Sequence, residues 1–349
     1  MCIEWGVYMK AAAIKKVRKL EIIDIEEPVK DEKNVLINVL KTGICGSDLH
    51  YFVAGEPKGL VMGHEFVGKV EDAGDRSDLK VGDRVTALPI SPCGKCSACV
   101  SGNIQYCEKT WDEAVGLSLN NPGGFTSKIK VRSDMVIKVP DEVSDEEAAM
   151  VEPTAVALHA IHLADIKVGD KVLVIGAGII GMLTAMFAGM EGASYVAMSE
   201  ANMSRGRKAV RLGVADRCYD AKNTKMLEQM RYDTVEGFDK VIECCGNSPA
   251  VTNSLMAVKA GGKVVLVGVS LGTVTMPSIV AVTKELDIRG AIAYTVDEFK
   301  TCIELMASKR IDVTKFLDEV VPLKDIQESF EKLTSGKSAT VKIIIDHNK

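Results

Sequence analysis

Residues 171–181 read Lys-Val-Leu-Val-Ile-Gly-Ala-Gly-Ile-Ile-Gly, an aliphatic run that passes directly into three spaced glycines. The run predicts a buried strand, and the Ala- and Met-rich stretch that follows predicts a helix. Gly176, Gly178 and Gly181 form G-x-G-x-x-G at the turn between them, where a tight turn and a helix N-terminus favour a bound pyrophosphate. The segment therefore predicts a dinucleotide-binding fold, with a glycine-rich turn of another α/β protein as the alternative.

The residues after these glycines extend the predicted cofactor site. Ile179 and Ile180 stand between the second and third glycines and open the predicted helix. The next strand-like run ends at Glu200, nineteen residues beyond the third glycine. A carboxylate there can accept hydrogen bonds from the adenosine ribose and repel a 2′-phosphate, which favours NAD over NADP. Arg205 and Arg207 lie close enough to weaken that repulsion, and NADP stays open.

The pattern of runs along the chain predicts two domains. Short β-branched runs separated by Gly, Asp and Pro fill the first part, at residues 34–40, 65–72 and 83–88. Strand-like and helix-forming runs then alternate, which is typical of a parallel, doubly wound sheet. A strand-like run returns at residues 340–345. We expect an α/β protein with a β-rich domain of residues 1–153 and 291–349 and a dinucleotide-binding domain of residues 154–290.

Composition narrows the class of function. The 349 residues carry a net charge of −5 and are 47% hydrophobic, a globular composition with no general attraction for nucleic acid or anionic membranes. No apolar run reaches the roughly 18 residues of a membrane span. The first eight residues do not resemble a secretory signal, and Met9 offers a second possible start. Four of the ten cysteines stand at metal-type spacing, which predicts reduced thiols and a cytoplasmic protein.

Those four cysteines, Cys93, Cys96, Cys99 and Cys107, form C-x2-C-x2-C-x7-C in a loop that contains Gly, Ser and Asn. Short spacings let successive sulfurs bind one ion, and structural zinc takes four thiolates in a tetrahedron. Four filled positions leave no place for a substrate. The motif therefore predicts a structural zinc site, with an iron–sulfur site or free thiols as the alternatives.

A second set of residues predicts a metal site of a different kind. Cys45 stands in Gly-Ile-Cys-Gly-Ser-Asp-Leu-His at residues 43–50, and His64 and Glu65 follow in Gly-His-Glu. One thiolate, one imidazole and one carboxylate suit a catalytic zinc, which keeps a position open for water or substrate. Glu152 is a candidate fourth group. Taken singly, a buried cysteine is usually a packing residue and a His-Glu pair is often a surface turn.

Together these motifs resemble the zinc-containing medium-chain alcohol dehydrogenases, and within them the sorbitol, butanediol and threonine dehydrogenase branch, over residues 10–345. The resemblance implies a GroES-like β-rich catalytic domain, a doubly wound Rossmann domain, and two zinc ions and NAD per chain. Cys45, His64 and Glu65 are then the catalytic zinc ligands. Glu152, where liver-type members carry cysteine, is a further ligand or holds the zinc-bound water.

The resemblance also implies roles that spacing cannot give. Ser47 matches the hydroxyl that receives the alcohol proton, and His50 matches the residue that passes it to solvent; a helix cap and a solvated helix residue are the alternatives. Tyr51, Tyr294 and Glu152 match positions near the substrate. Arg205 matches an arginine near the adenine. The residues matching the stretches beside the nicotinamide are Val267, Gly268, Val269, Ser270, Ala291, Ile292 and Ala293.

The residue at position 293 departs from the sorbitol dehydrogenase pattern. Those enzymes carry an arginine there that contacts the polyol, and Ala293 removes its hydrogen-bond donors. The loop at residues 52–62 is short and partly apolar, which favours a secondary alcohol less polar than sorbitol. Lys58 in this loop could meet a phosphate or a carboxylate.

The sequence therefore predicts a zinc-dependent NAD oxidoreductase that interconverts a secondary alcohol or polyol and its ketone by hydride transfer. The alternatives are a threonine-type amino-alcohol dehydrogenase, a dehydrogenase of hydroxysteroids or other bulky secondary alcohols, and a cofactor-binding relic without chemistry. By resemblance we expect a homotetramer or a dimer, joined through residues 271–282 and the neighbouring strand. We expect neither a nucleic-acid nor a membrane partner.

Overall fold

The computed structural model describes residues 7–270 and 272–349. The chain forms two compact units. The first unit comprises Met1–Glu152, Thr295–Ser335 and Lys342–Lys349, and the second comprises Pro153–Tyr294 and Gly336–Val341. Among the described residues, no helix has the length and apolar character needed to cross a membrane.

Strands and helices alternate in the second unit, whereas strands dominate the first. The strands are β1 (Tyr8–Lys16), β2 (Lys19–Glu26), β3 (Asn34–Gly43), β4 (Glu65–Asp72), β5 (Arg84–Ala87), β6 (Lys128–Arg132), β7 (Val136–Lys138), β8 (Lys171–Ile175), β9 (Tyr195–Glu200), β10 (Arg217–Asp220), β11 (Phe238–Glu243), β12 (Val258–Leu266), β13 (Asp287–Gly290), β14 (Glu319–Pro322) and β15 (Ile343–Asp346). The helices are α1 (Gly46–Ala54), α2 (Ser97–Val100), α3 (Asp145–Ala148), α4 (Val151–Ala164), α5 (Ile179–Met190), α6 (Met203–Arg211), α7 (Met226–Thr234), α8 (Ser248–Ala257), α9 (Ser278–Thr283), α10 (Val296–Ala307) and α11 (Ile326–Thr334).

The first unit is organised around β3, the central strand of a mostly antiparallel sheet of order β14-β15-β3-β4-β5-β7, with β6 also paired to β3. Side chains of β3 are buried along most of its length, as expected for a strand covered on both faces. The core beside it contains Phe52 of α1, Phe125 and Phe330 of α11. The ring centroids of Phe52 and Phe330 lie 5.2 Å apart, so α1 is packed against α11.

The second unit is a six-stranded parallel sheet of order β10-β9-β8-β11-β12-β13. The order of these strands along the chain corresponds to 3-2-1-4-5-6, the arrangement of a doubly wound dinucleotide-binding sheet. β8 and β11 are neighbours at the point where the winding reverses. This order confirms the predicted α/β, doubly wound fold.

The division between the units differs in detail from the expected domain boundaries. The chain enters the second unit after Glu152 and leaves it after Tyr294, and it returns for Gly336–Val341. The boundaries expected from the sequence place this segment, with the strand-like run at residues 340–345, in the first domain. Among its contacts with the second unit, Asn202 Nδ2 donates to the carbonyl oxygens of Gly336 at 3.1 Å and Ser338 at 2.8 Å.

The glycine turn after β8 has the geometry that the motif requires. Gly176 has a φ of 102°, which side chains rarely adopt. A Cβ on Gly181 would lie 1.9 Å from the carbonyl oxygen of Gly176, so α5 starts against the turn itself. A Cβ on Gly178 would meet no protein atom within 4 Å. The space beside Gly178 is therefore open to a ligand.

We expect Gly181→Ala to lower the free energy of unfolding by about 1–3 kcal/mol, because the added methyl overlaps the turn. Gly189→Ala is the matched control in the same helix. Its Cβ meets no atom within 4 Å, and alanine has the higher helix propensity, so stability should stay the same or rise by up to about 1 kcal/mol. Denaturant unfolding followed by circular dichroism measures both. Equal stability of the two variants would contradict the close approach.

Candidate metal centres and cofactor site

Helix α1 begins at a cap that also positions a predicted metal ligand. Cys45 is the N-cap residue, with extended backbone at φ −92° and ψ 159°. The carboxylate of Asp48, three residues on, accepts a hydrogen bond of 3.0 Å from the Cys45 backbone N–H. This reciprocal capping arrangement ends β3 and starts α1 at a defined place. The Cys45 thiol is thereby fixed just beyond the end of β3.

The pairing of β3 with β4 brings the other two predicted ligands to Cys45. Gly43 at the end of β3 lies opposite Glu65 at the start of β4. The ligand atoms of Cys45, His64 and Glu65 all lie within 4.8 Å of one another. One zinc ion with bonds of about 2.0–2.3 Å holds its ligand atoms about 3–4 Å apart. The three groups therefore fit a single metal ion.

Burial gives a second test of that fit. Glu65 is fully buried, and its Oε1 has no hydrogen-bond partner among the described residues. A buried carboxylate oxygen without a partner is energetically costly unless a cation or donor satisfies it. Burial also raises the pKa of the Cys45 thiol. A metal ion would compensate both groups, since it binds the thiolate and the free carboxylate oxygen.

Asp48 is a residue beside the candidate metal ligands that the sequence reasoning missed. Its Oδ1 lies 3.5 Å from Nδ1 of His64, so the other ring nitrogen, Nε2, is left for the metal. Burial lowers the pKa of His64, but the charges of Cys45 and Asp48 outweigh it and raise that pKa well above its usual value. Asp48 thus caps α1 and lies in ion-pair contact with the imidazole, although neither Asp48 Oδ1 nor His64 Nδ1 has a hydrogen-bond partner among the described residues. Its position three residues after Cys45 in a capping pattern is the signal that could have revealed it.

Ser47 and His50 lie on the same helix as the first ligand. Ser47 Oγ is 3.4 Å from Nε2 of His64, which places the hydroxyl beside the metal-binding nitrogen. His50 is exposed on α1. Residues three apart lie on the same helix face, so the pair leads from the metal group toward solvent. Their part in proton transfer stays a prediction.

Three further residues, Glu152, Tyr51 and Tyr294, are predicted to lie near the substrate. Glu152 lies in the first turn of α4, outside the group of three ligands that the structure brings together. Tyr51 is partly buried against the core of the first unit. Tyr294 belongs to the second unit and is only 1% exposed. Roles for these three residues in metal or substrate binding stay predictions.

The four-cysteine loop forms a second, separate cluster. The Sγ atoms of Cys93 and Cys99 lie 4.0 Å apart and those of Cys96 and Cys99 lie 3.5 Å apart, and all four sulfurs lie within 4.8 Å of one another. Zinc–sulfur bonds of about 2.3 Å hold four sulfurs about 3.8 Å apart. Backbone N–H groups of Lys95 and Cys96 lower the pKa of Cys93 to about 6. The cluster fits one zinc ion with four thiolates.

The cofactor turn is braced by Glu200. One oxygen of its carboxylate accepts from the backbone N–H of Ala177 at 2.7 Å, and the other accepts from that of Asn202 at 2.7 Å. Two backbone donors thus hold the negative charge against the glycine turn. Ile179 and Ile180 begin α5, whose N-cap is Gly178. The open space at Gly178 and the free N–H groups of the first turn of α5 fit a pyrophosphate.

The stretches expected beside the nicotinamide follow the last two strands of the same sheet. Val267, Gly268, Val269 and Ser270 follow β12, and Ala291, Ile292 and Ala293 follow β13. Both stretches lie at the carboxyl edge of the parallel sheet, which is where the turn after β8 also lies. Ala293 has a φ of 49°, an uncommon conformation for a residue with a side chain. Contact of these residues with the nicotinamide stays a prediction.

We expect Cys96→Ser to remove one of two zinc equivalents and to lower the thermal midpoint by roughly 5 °C or more, since a structural zinc contributes several kcal/mol of folding free energy. Cys218→Ser is the control, because Cys218 is partly buried and belongs to neither cysteine-containing group. It should keep both zinc ions. Elemental analysis and thermal unfolding measure the outcome, and two zinc ions in the Cys96 variant would refute the assignment.

Comparisons with known proteins identify the family of the chain. A model of the alcohol dehydrogenase GroES-like domain matches residues 31–141, and a model of the zinc-binding dehydrogenase domain matches residues 180–308. The chain is 30% identical to sorbitol dehydrogenase of Bacillus subtilis, in an alignment that covers 98% of each chain.

Two solved structures share the whole architecture. One is 2R,3R-butanediol dehydrogenase from Bacillus subtilis, with a TM-score of 0.85 and 30% identity over 97% of this chain and 99% of that one. The other is described as a zinc-binding dehydrogenase from Sinorhizobium meliloti bound to NADP, with a TM-score of 0.87 and 28% identity over the same shares. The chain therefore belongs to the zinc-dependent alcohol dehydrogenase family, whose members are oxidoreductases that use zinc and a nicotinamide cofactor.

Proposed function

We propose that this enzyme oxidises a secondary alcohol or polyol to its ketone, and reduces the ketone in reverse, by hydride transfer with NAD. The observation that carries the proposal is the group of partly buried Cys45 with buried His64 and Glu65, whose ligand atoms lie within 4.8 Å of one another. A relic without chemistry need not retain this group or Ser47 beside it. An iron–sulfur cluster or a structural zinc does not account for this group, because it has only three donors and they are of three kinds: one sulfur, one nitrogen and one oxygen.

The chain's own residues position the reactants and move the proton. A zinc ion held by Cys45, His64 and Glu65 would supply Lewis acidity toward the substrate oxygen, and a nicotinamide cofactor held at the glycine turn would supply the hydride acceptor. Asp48 lies in ion-pair contact with Nδ1 of the His64 ring. Ser47, 3.4 Å from Nε2 of His64, receives the alcohol proton, and His50, one helical turn further and exposed, passes it to solvent. Glu152 completes the site as a ligand or as the holder of a water.

The loop at residues 52–62 bears on the substrate class. Its apolar residues Phe52, Leu60, Val61 and Met62 are all less than 5% exposed and belong to the core of the first unit. Their apolar character therefore reflects packing and gives no support to a steroid-like substrate. Lys58 is exposed and its Nζ lies 4.0 Å from Glu56, which weakens it as a partner for a threonine carboxylate. A small diol or polyol is the class that remains best supported.

NAD is the proposed coenzyme because the Glu200 carboxylate is held in place by two backbone donors and cannot easily move away from a 2′-phosphate. Arg207 donates to Ser204 Oγ at 3.3 Å within α6. The NADP-bound relative keeps NADP as the second candidate.

We expect the preference for NAD, measured as the ratio of kcat/KM for NAD to that for NADP, to exceed about 10 and to fall at least tenfold in Glu200→Gln. Removing one charge near the 2′-phosphate is worth about 1–2 kcal/mol, and each 1.4 kcal/mol is tenfold. Gln keeps an acceptor for one backbone N–H. Glu191→Gln, on the exposed end of α5, is the control and should leave the ratio unchanged. A wild-type preference for NADP would overturn the assignment.

We expect Cys45→Ala to lower kcat by more than about 10³-fold, because loss of metal polarisation removes several kcal/mol of charge stabilisation. The variant should hold one zinc ion in place of two and still bind NADH, as measured by elemental analysis and by NADH fluorescence. A panel of 2,3-butanediol, sorbitol, threonine and a hydroxysteroid, followed by NADH absorbance, identifies the substrate class. Full activity with one zinc ion would contradict the mechanism.

We further propose that the protein is a homo-oligomer, a dimer or tetramer, and that it is cytoplasmic, since both metal groups require reduced thiols. Strand β13 is the outermost strand of the parallel sheet, and no strand among the described residues pairs with its other edge. Beside it, α9 exposes the apolar side chains of Ile279 and Val282, 67% and 72% exposed. Residue 271, at the start of the expected interface, lies outside the described residues. Light scattering after size exclusion tests the oligomeric state.

A further inference from the structure

A buried lysine contacts a ligand of the catalytic group. Lys342 immediately precedes β15 and is fully buried, as is Glu65. Its Nζ forms an ion pair with Oε2 of Glu65 and donates to the carbonyl oxygen of Ile44 at 3.2 Å. A fully buried ammonium requires such a counter-ion, because an unpaired charge in the interior costs several kcal/mol. Lys342 and Glu65 therefore form one buried unit.

The backbone beside this pair makes room for it. Gly43 lies between the two groups, on β3, with β4 on one side and β15 on the other. A Cβ on Gly43 would lie 2.3 Å from Glu65 Oε2 and 2.7 Å from Lys342 Nζ. Any side chain at this position would displace the ion pair. The contact is thus specified by the lysine, the glutamate and the glycine together.

The two oxygens of Glu65 have different surroundings. Oε2 contacts the Lys342 ammonium, whereas Oε1 is buried without a hydrogen-bond partner among the described residues. Glu65 also offers one ligand atom to the group it forms with Cys45 and His64. We propose that Lys342 is a positioning residue: it occupies Oε2 of Glu65, so that this carboxylate can bind the metal through one oxygen alone.

This arrangement has two consequences for the site, and both rest on the proposed zinc-dependent function. If Glu65 binds through one oxygen, then Cys45, His64 and Glu65 would hold a zinc ion with three donors and leave a further position for the substrate or for a fourth group such as Glu152. The ammonium also offsets one of the two negative charges that Cys45 and Glu65 bring to the metal. A site with more positive charge stabilises a deprotonated substrate oxygen more strongly. Lys342 would therefore keep a coordination position open for the substrate. It would also strengthen the Lewis acidity of the metal, without contacting the substrate itself.

The test is the coordination of Co²⁺ substituted for the catalytic zinc, read from its visible absorption bands, in Lys342→Met and Lys342→Arg. Met has a similar length without the charge, so Glu65 should bind through both oxygens. The higher coordination number should weaken the visible bands, and kcat should fall by about 10–100-fold, the usual effect of losing an outer-shell partner. Arg keeps the charge and should restore both properties. The KM for NAD should be unchanged.

Lys41→Met is the matched control. Lys41 lies on the same strand β3 with its side chain 11% exposed, and it pairs with Asp346 at 2.7 Å and Glu146 at 3.2 Å, away from the metal ligands. Its loss should reduce stability and leave the cobalt spectrum unaltered. If Lys342→Met does not fold, Lys342→Gln serves in its place.

An unchanged spectrum in the Lys342 variant, the same change in the Lys41 variant, or failure of the Lys342 variant to bind Co²⁺ would each overturn the inference. The spectrum reports on Glu65 whether or not an alcohol is turned over. A wild-type protein that binds Co²⁺ but oxidises no alcohol with NAD would count against the proposed function and leave the positioning role intact.

Discussion

The pairing of β3 with β4 on one side and β15 on the other is the constraint from which the catalytic site follows. Gly43, at the end of β3, lies opposite Glu65 in one ladder and opposite Ile344 in the other. Cys45 comes two residues later, at the cap of α1. Groups that are far apart in sequence thus meet because three strand ends lie side by side. A shift of register by one residue would turn Glu65 to the opposite face and separate it from the other ligands.

Several residues in this region satisfy a structural and a chemical requirement at once. Asp48 caps a helix and lies in ion-pair contact with His64, and Gly43 allows a strand pairing and a buried ion pair. Glu200 of the second unit likewise has two roles. It accepts a hydrogen bond from Ala177 in the glycine turn, and it is the residue expected to bind the adenosine ribose. Substitution at such positions therefore changes stability and function together, which is why matched control variants are needed.

Most of what the sequence could predict came from short local motifs. The strand, turn and helix at residues 171–181 indicate the parallel sheet, and the spacing of Cys93, Cys96, Cys99 and Cys107 indicates their cluster, because neighbours in sequence determine both. Asp48 and Lys342 were missed for different reasons. Asp48 could have been found from the local sequence, because it stands three residues after Cys45 in a helix-capping pattern. Lys342 is nearly three hundred residues from Glu65 along the chain, and only the β15–β3–β4 register brings them together.

For the apolar loop at residues 52–62, the sequence suggested a function that the structure does not support. Its composition suggested a binding surface, yet Leu60 and Met62 are buried in the core beside α1 and α11. An apolar run has the same appearance in a sequence whether it faces a ligand or a protein interior, and tertiary packing decides between them. Ala293 still separates this chain from the sorbitol dehydrogenase pattern, but the loop adds no further information on the substrate.

The central claim is that the chain holds two zinc ions in chemically different surroundings. X-ray absorption at the zinc edge measures it most directly, because zinc–sulfur bonds of about 2.3 Å are distinct from zinc–nitrogen and zinc–oxygen bonds of about 2.0–2.2 Å. We expect four sulfurs around one zinc and one around the other, an average of two and a half per zinc, with nitrogen and oxygen donors completing the second site. An average of four sulfurs, with no nitrogen or oxygen donors, would contradict it.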